Sequence, residues 1–178
     1  MILSKKTTVL LITLSLTLFL IQCSSMQTVR TKPVTSVKQA VVIRSVRGDF
    51  DDVWDSLKFA LNQRGMVISS VSHIQEMLDR TGKALGRTKK IYIKAKVMEF
   101  CSAVISRNML ERNPHFISFC PYQIMVYTLP DNDERVYLSY RRLIWNDNQD
   151  RDVLEAVERL LHDLVQDVVD EYGEYREK

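Results

Sequence analysis

Cys101, His115 and Cys120 are the residues of this chain best suited to chemistry. Two thiols about 20 residues apart can close a disulfide, which on a chain-entropy estimate stabilises a fold by about 3 kcal/mol. Left reduced, a thiolate at a helix N-terminus is acidic and nucleophilic. Thiolates joined by an imidazole suit a soft or borderline ion such as Cu(I) or zinc. Two buried, inert cysteines are the remaining outcome. The residue types thus admit a structural disulfide, a redox or metal site, or no chemistry, and they leave the identity of any metal or other cofactor open.

A second set of residues bears charge. Arg80, Lys83, Arg87, Lys89, Lys90, Lys94 and Lys96 follow one another with no acid between them. In a strand, Lys94 and Lys96 share a face with Tyr92, which makes a positive strip for anionic lipid or glycan. The competing reading is a solvated face offset by acids elsewhere. Of the histidines, His162 falls on a polar helix face, and His73 either supports a turn or lines a cleft. Residues 82–88, GKALGRT, lack the Gly-Lys-Ser/Thr end of a phosphate loop. No H-E-x-x-H, C-x-x-C or G-x-S-x-G pattern occurs, so the common zinc-protease, dithiol and serine-nucleophile arrangements are missing. An enzyme is the less favoured class.

Cys23 is a different case. It closes MILSKKTTVLLITLSLTLFLIQC, in which Lys5 and Lys6 precede an apolar run from Val9 to Ile21. That run falls short of the roughly 20 residues that span a bilayer, and no small-x-small cleavage site precedes Cys23. Leu20-Ile21-Gln22-Cys23 resembles the lipobox of bacterial lipoproteins, with Gln22 departing from the small residue usual before the cysteine. The resemblance implies cleavage before Cys23 and acylation of its thiol, and several acyl chains hold a protein on a membrane where one does not. An uncleaved helical anchor is the competitor. Ser24, in place of a retaining Asp, points to the outer membrane's periplasmic leaflet. The formal net charge is +3, of which Lys5 and Lys6 supply two, so bulk charge excludes a general nucleic-acid binder. Exported, Cys101 and Cys120 meet an oxidising compartment.

The elements that must position these side chains follow from periodicity. Residues 1–22 read as the leader, 23–39 as a polar Ser/Thr-rich tether, and 40–173 as one domain. Ala40 to Ile43 suits a first strand. Asp49 caps a helix whose Phe50, Val53, Trp54, Leu57, Ala60 and Leu61 recur at helical spacing, with Gly65 as its left-handed stop. Met66 to Val71 forms a second strand, and Ser72-His73-Ile74-Gln75 has the form of a capping box opening a helix toward Gly82. In KKIYIKAKVMEFC, Ile91, Ile93, Ala95 and Val97 alternate with Tyr92, Lys94, Lys96 and Met98, which predicts a strand with the first set inward. Ser102 to Arg112 is a third helix ended by Asn113-Pro114. Strands at 122–129 and 135–142 pair as a hairpin across Pro130-Asp131-Asn132-Asp133. Val153, Leu154, Val157, Leu160, Leu161, Leu164, Val165, Val168 and Val169 stripe a long final helix that lies across a sheet. The expected class is α+β, with helices on a mixed or antiparallel sheet.

From Phe50 to Leu143 the order of residues resembles the DUF302 family, of unknown function and TT1751-like α+β fold. The carriers are Phe50, Val53, Leu57, Leu61, Gly65, Val67 and Val71-Ser72-His73, then Glu99-Phe100-Cys101-Ser102-Ala103, then Cys120-Pro121-Tyr122-Gln123-Ile124-Met125-Val126-Tyr127. Ser72 replaces the family's Asp, and Cys101-Ser102 replace its Asn-Pro. The resemblance covers about half of the chain and implies a compact, often dimeric domain with a small-ligand cleft near the central strands. His73 and Tyr122 are its candidate lining here. It implies no reaction.

The expected function is that of a lipid-anchored, non-enzymatic envelope protein facing the periplasm and binding a small ligand or an envelope protein. The alternative is a periplasmic redox or metal-handling protein working through Cys101 and Cys120. A third reading is a structural factor that uses Lys94 and Lys96.

Overall fold

The computed structural model describes residues 40–144 and 149–176. The expected leader, Cys23 and the expected tether lie outside them. The chain runs β1 (Val41–Arg47), α1 (Phe50–Gln63), β2 (Val67–His73), α2 (Ile74–Ala84), β3 (Lys94–Cys101), α3 (Ala103–Arg112), a 3-10 turn (Pro114–Phe119), β4 (Tyr122–Leu129), β5 (Asn132–Arg141) and α4 (Arg151–Tyr172). The strands make one sheet in the order β1-β5-β4-β3-β2, with every neighbouring pair antiparallel. The class is the expected α+β.

Local chemistry sets the helix ends. The Asp49 carboxylate accepts from the backbone N–H of Asp51 at 2.7 Å and of Asp52 at 3.4 Å, satisfying donors that a helix start leaves orphaned. Gly65 takes φ +67°, the left-handed conformation that ends the α1 segment. Ser102 caps α3 by accepting from the Ile105 N–H, and Asn113 ends it and caps the 3-10 turn. The capping box expected at Ser72 does not form. β2 continues through His73, so the Ser72 backbone stays in the ladder opposite Val97 and α2 starts directly from the strand.

Antiparallel register gives the sheet two distinct faces. Val46, Val136, Leu138, Tyr140, Tyr122, Ile124, Val126, Met98 and Phe100 share one face, and all are buried. Against them pack Phe50, Val53, Leu57 and Leu61 of α1, Met109 of α3 and the α4 stripe. Seven side chains of that stripe are buried and Val153 and Leu160 partly so. At about 1.5–3 kcal/mol for each buried aliphatic, α4 is a major contributor to folding.

β3 overturns the face expected of it. Met98 and Phe100, 0% exposed, lie on the same side as Lys94 and Lys96, so the side assigned to solvent is the helix-covered side. Simple alternation misleads because the Lys94 and Lys96 ammonium groups reach over the Phe50 ring and meet Asp51 of α1, so lysines serve on the helix-covered side. Ala95 and Val97 belong to the second face, opposite Tyr127 and Met125, while Ile91 precedes the strand. The hairpin forms as expected, although its turn is tighter. β5 already begins at Asn132, leaving Pro130 and Asp131 between the strands.

Candidate functional site

Two places on this scaffold gather polar and reactive groups. The first is the rim where β3 ends and β4 begins. Phe100 pairs with Tyr122 in the sheet register, so the next step of β3 carries Cys101 toward the segment Cys120-Pro121. The rings of Phe100 and Tyr122 meet edge to face at 6.1 Å. The Ser106 hydroxyl, from the first turn of α3, donates to the Tyr122 hydroxyl at 2.9 Å. Cys101 is exposed and Cys120 half-buried, and both are free thiols. Burial pushes the Cys120 thiol up, the neighbouring Cys101 thiol adds to that, and Ser106 opposes it by hydrogen bonding. Tyr122, 2% exposed, is likewise pushed up to about 12, chiefly by burial. Beside this cluster lies a cleft of about 190 Å³ lined by Phe119, Pro121, Tyr122, Arg142 and Leu161 among others.

The second place is the sheet face outside the core, and periodicity alone did not reveal it. Tyr127 and Tyr137, cross-strand partners on β4 and β5, stack at 5.0 Å with 5° between their planes. Tyr92 meets Tyr127 edge-on at 5.5 Å. At the other end the Arg135 guanidinium lies over Tyr137 at 4.8 Å and over Tyr175 at 4.6 Å. Arg47 completes the row, 5.2 Å from the Tyr175 centroid. Four phenol rings and two guanidiniums thus cross the sheet from β1 to the lead-in of β3. Aromatic stacking and cation–π contacts of this kind contribute about 0.5–1.5 kcal/mol each, and the guanidiniums are held in place from the side, Arg135 by donating to the Ser45 hydroxyl at 3.1 Å and Arg47 by its bond to Glu134. Burial and the flanking phenols raise the Tyr127 pKa, against hydrogen bonding from Ser139 and the charge of Arg135. The signal in the sequence was period two across a hairpin, Tyr127 with Tyr137, and it appears only once the register is known.

The other predicted residues are dispersed. His73 stands opposite Lys96 at the far end of β2 from Tyr122, its Nδ1 3.2 Å from Glu76 Oε1, so the fold does not bring His73 and Tyr122 into one cleft. His115 is exposed on the 3-10 turn, where its backbone N–H donates to Asn113. Among the described residues no group of three His, Cys, Asp or Glu side chains could hold a metal ion. Lys94 Nζ sits 2.6 Å from Asp51 Oδ2 and Lys96 Nζ 3.7 Å from Oδ1, and both ammonium groups lie over the Phe50 ring. The bond from Lys94 holds the Asp51 carboxyl below its ordinary value, and the Lys94 pKa rises in return. Tyr92 parts from the lysines and joins the tyrosine row instead. A larger groove of about 310 Å³ runs between α2 and the strand lead-in, lined by Leu78, Lys83, Leu85, Arg87, Lys89 and Tyr92 among others.

Residues 42–168 match the family described as "Domain of unknown function DUF302". This chain belongs to the DUF302 family. The DUF302 fold is shared with the crystal structure of an uncharacterized conserved DUF302 protein from Bacillus stearothermophilus, at a TM-score of 0.60 and 15% identity. The alignment covers 72% of this chain and 97% of that one. At such identity the likeness speaks for the fold alone. No curated protein matches the chain. Among the described residues of the DUF302 domain and its flanks, no helix is long and apolar enough to cross a membrane.

Proposed function

We propose that this chain is a lipid-anchored protein of a bacterial cell envelope, acylated at Cys23 and facing the periplasm from the outer membrane. Its DUF302 domain binds a small ligand or an envelope partner instead of catalysing a reaction. The observation that carries the binding reading is the tyrosine–arginine row on the sheet face outside the core. Rings and guanidiniums that stack on each other in partial contact with water offer a preorganised surface for polar aromatic, glycan or peptide groups.

The test is native mass spectrometry of the detergent-extracted full chain beside a Tyr137→Ala/Arg135→Ala variant. A bound species present on the wild-type domain and lost from a variant that melts cooperatively supports the reading. Equal occupancy in both sinks it.

A redox or metal-handling role is the second reading, favoured by the interacting thiols of Cys101 and Cys120. It predicts complete loss of function when both become serine, whereas the first reading predicts a loss of stability alone. An anionic-surface role for Lys94 and Lys96 has to compete with Asp51, which engages both ammonium groups.

A further inference from the structure

Two cysteines that begin and end one excursion of the chain are brought to the same end of two neighbouring strands, in unequal environments. Cys101 is exposed at the last position of β3, directly before the Ser102 cap of α3. Cys120 is half-buried and precedes β4, with Ser106 beside its thiol. The Phe100–Tyr122 pair fixes both ends in the sheet.

We propose that Cys101 and Cys120 form an ordered thiol–disulfide exchange pair, with Cys101 as the entry thiol, Cys120 as the resolving thiol, and their bond clipping the start of α3 to the start of β4. The oxidant is a disulfide, either of low molecular weight or carried by a protein. The exposed Cys101 sulfur, as thiolate, attacks one sulfur of that disulfide; a mixed disulfide forms and the first thiolate leaves. Cys120, as thiolate, then attacks the Cys101 sulfur, the internal bond closes and the second thiolate departs. The protein loses two thiol protons, which end on the two thiols released, so the oxidant gains what the protein gives up.

The order follows from access. An incoming disulfide reaches Cys101 from solvent, while Cys120 is half-buried beside the strand end that carries Cys101. What the bond encloses is α3 and the 3-10 turn, which insert Met109 and Phe116 into the core, so the clip secures a segment on which the core depends. The inference rests on the envelope reading only for its oxidising surroundings.

The experiment uses the detergent-extracted full chain, reduced, then exposed to glutathione disulfide and quenched with an alkylating agent at intervals before peptide mapping. Wild type is expected to lose two hydrogens and yield one cross-linked peptide pair holding Cys101 and Cys120. Cys120→Ser should accumulate a glutathione adduct on Cys101, and Cys101→Ser should leave Cys120 unmodified over the same interval. An adduct forming on Cys120 as fast as on Cys101 overturns the order. Two free thiols or two adducts on wild type overturn the pair. Reduction of the bonded protein should lower its melting midpoint by about 10 °C, and an unchanged midpoint overturns the clip. Thiols trapped inside cells before lysis separate the two readings: a pair that bonds in the tube yet is reduced in the cell sinks the envelope reading and leaves the pairing standing.

Discussion

A phenol loses its proton less readily where water cannot solvate the anion. Tyr122 is such a phenol, pushed up to about 12 by burial, against an ordinary value of about 10 when unfolded. A folded-state pKa above the unfolded one contributes stability that is fully present below pH 10 and is lost as pH rises through 12. The linkage is worth at most about 2–3 kcal/mol. Tyr127 and Tyr140 shift the same way, so the contribution is isolated by difference. Urea unfolding of wild type and Tyr122→Phe between pH 8 and 12 should give curves whose gap narrows as the pH rises, and parallel curves would refute the assignment. The Asp51–Lys94 pair predicts the reverse sign and a smaller size. Asp51 is depressed by the Lys94 bond, so its contribution exists above the unfolded carboxylate pKa and fades as acid reaches the folded one. Being largely exposed, the pair is screened, and Asp51→Asn should change the urea midpoint by well under 1 kcal/mol equivalent at neutral pH.

At the scale of elements, the segment after α4 behaves as a strap. Glu174 bridges to Val46 on β1 and pairs with Arg44 at 2.9 Å. The Tyr175 N–H donates to the Ser45 carbonyl at 2.7 Å, Asn132 donates to its hydroxyl at 2.9 Å, and two guanidiniums cover its ring. Edge strands left bare invite pairing with other chains, and the strap occupies part of the β1 edge. Tyr175→Ala should destabilise the domain by about 1–2 kcal/mol and speed hydrogen exchange of the Ser45 region. Tyr175→Phe, which keeps the ring contacts and loses one hydrogen bond, should cost about half as much; equal losses would assign the strap to Asn132 instead of the rings. None of this was legible beforehand, because it depends on which residue of β1 the returning chain meets. The helices were legible, since α1 and α4 bury wide apolar stripes and period 3.6 survives local exceptions. β3 was not, because lysines whose ammonium groups lie over an aromatic ring look like a solvent face when only residue types are read. Ser72 failed for a related reason: a capping pattern cannot form while the backbone that would carry it is committed to a ladder.

For the whole molecule, class and family were readable because they rest on spacings of apolar and turn residues, which the sheet order and the DUF302 match reproduce. The site was harder to read. Proximity of Cys101 to Cys120 followed from two flanking strands, but His73 and Tyr122 needed a register that places them at opposite ends of the sheet. The proposed anchor stands apart from both, since it rests on Cys23 and the residues before it and not on the fold. That independence makes it separable by one substitution. Cys23→Ser should leave domain melting unchanged within about 0.5 kcal/mol while moving the protein from the membrane pellet toward the soluble fraction, because loss of the acyl chains removes about 0.8 kcal/mol for each buried methylene. Wild type extracted by detergent should carry the acyl mass on a peptide beginning at Cys23. If the variant stays in the pellet with residues 1–22 still attached, the N-terminal segment is an uncleaved helical anchor. If wild type begins at a different residue and carries no acyl group, the envelope assignment loses its lipid and the Cys101–Cys120 pair alone reports on the compartment.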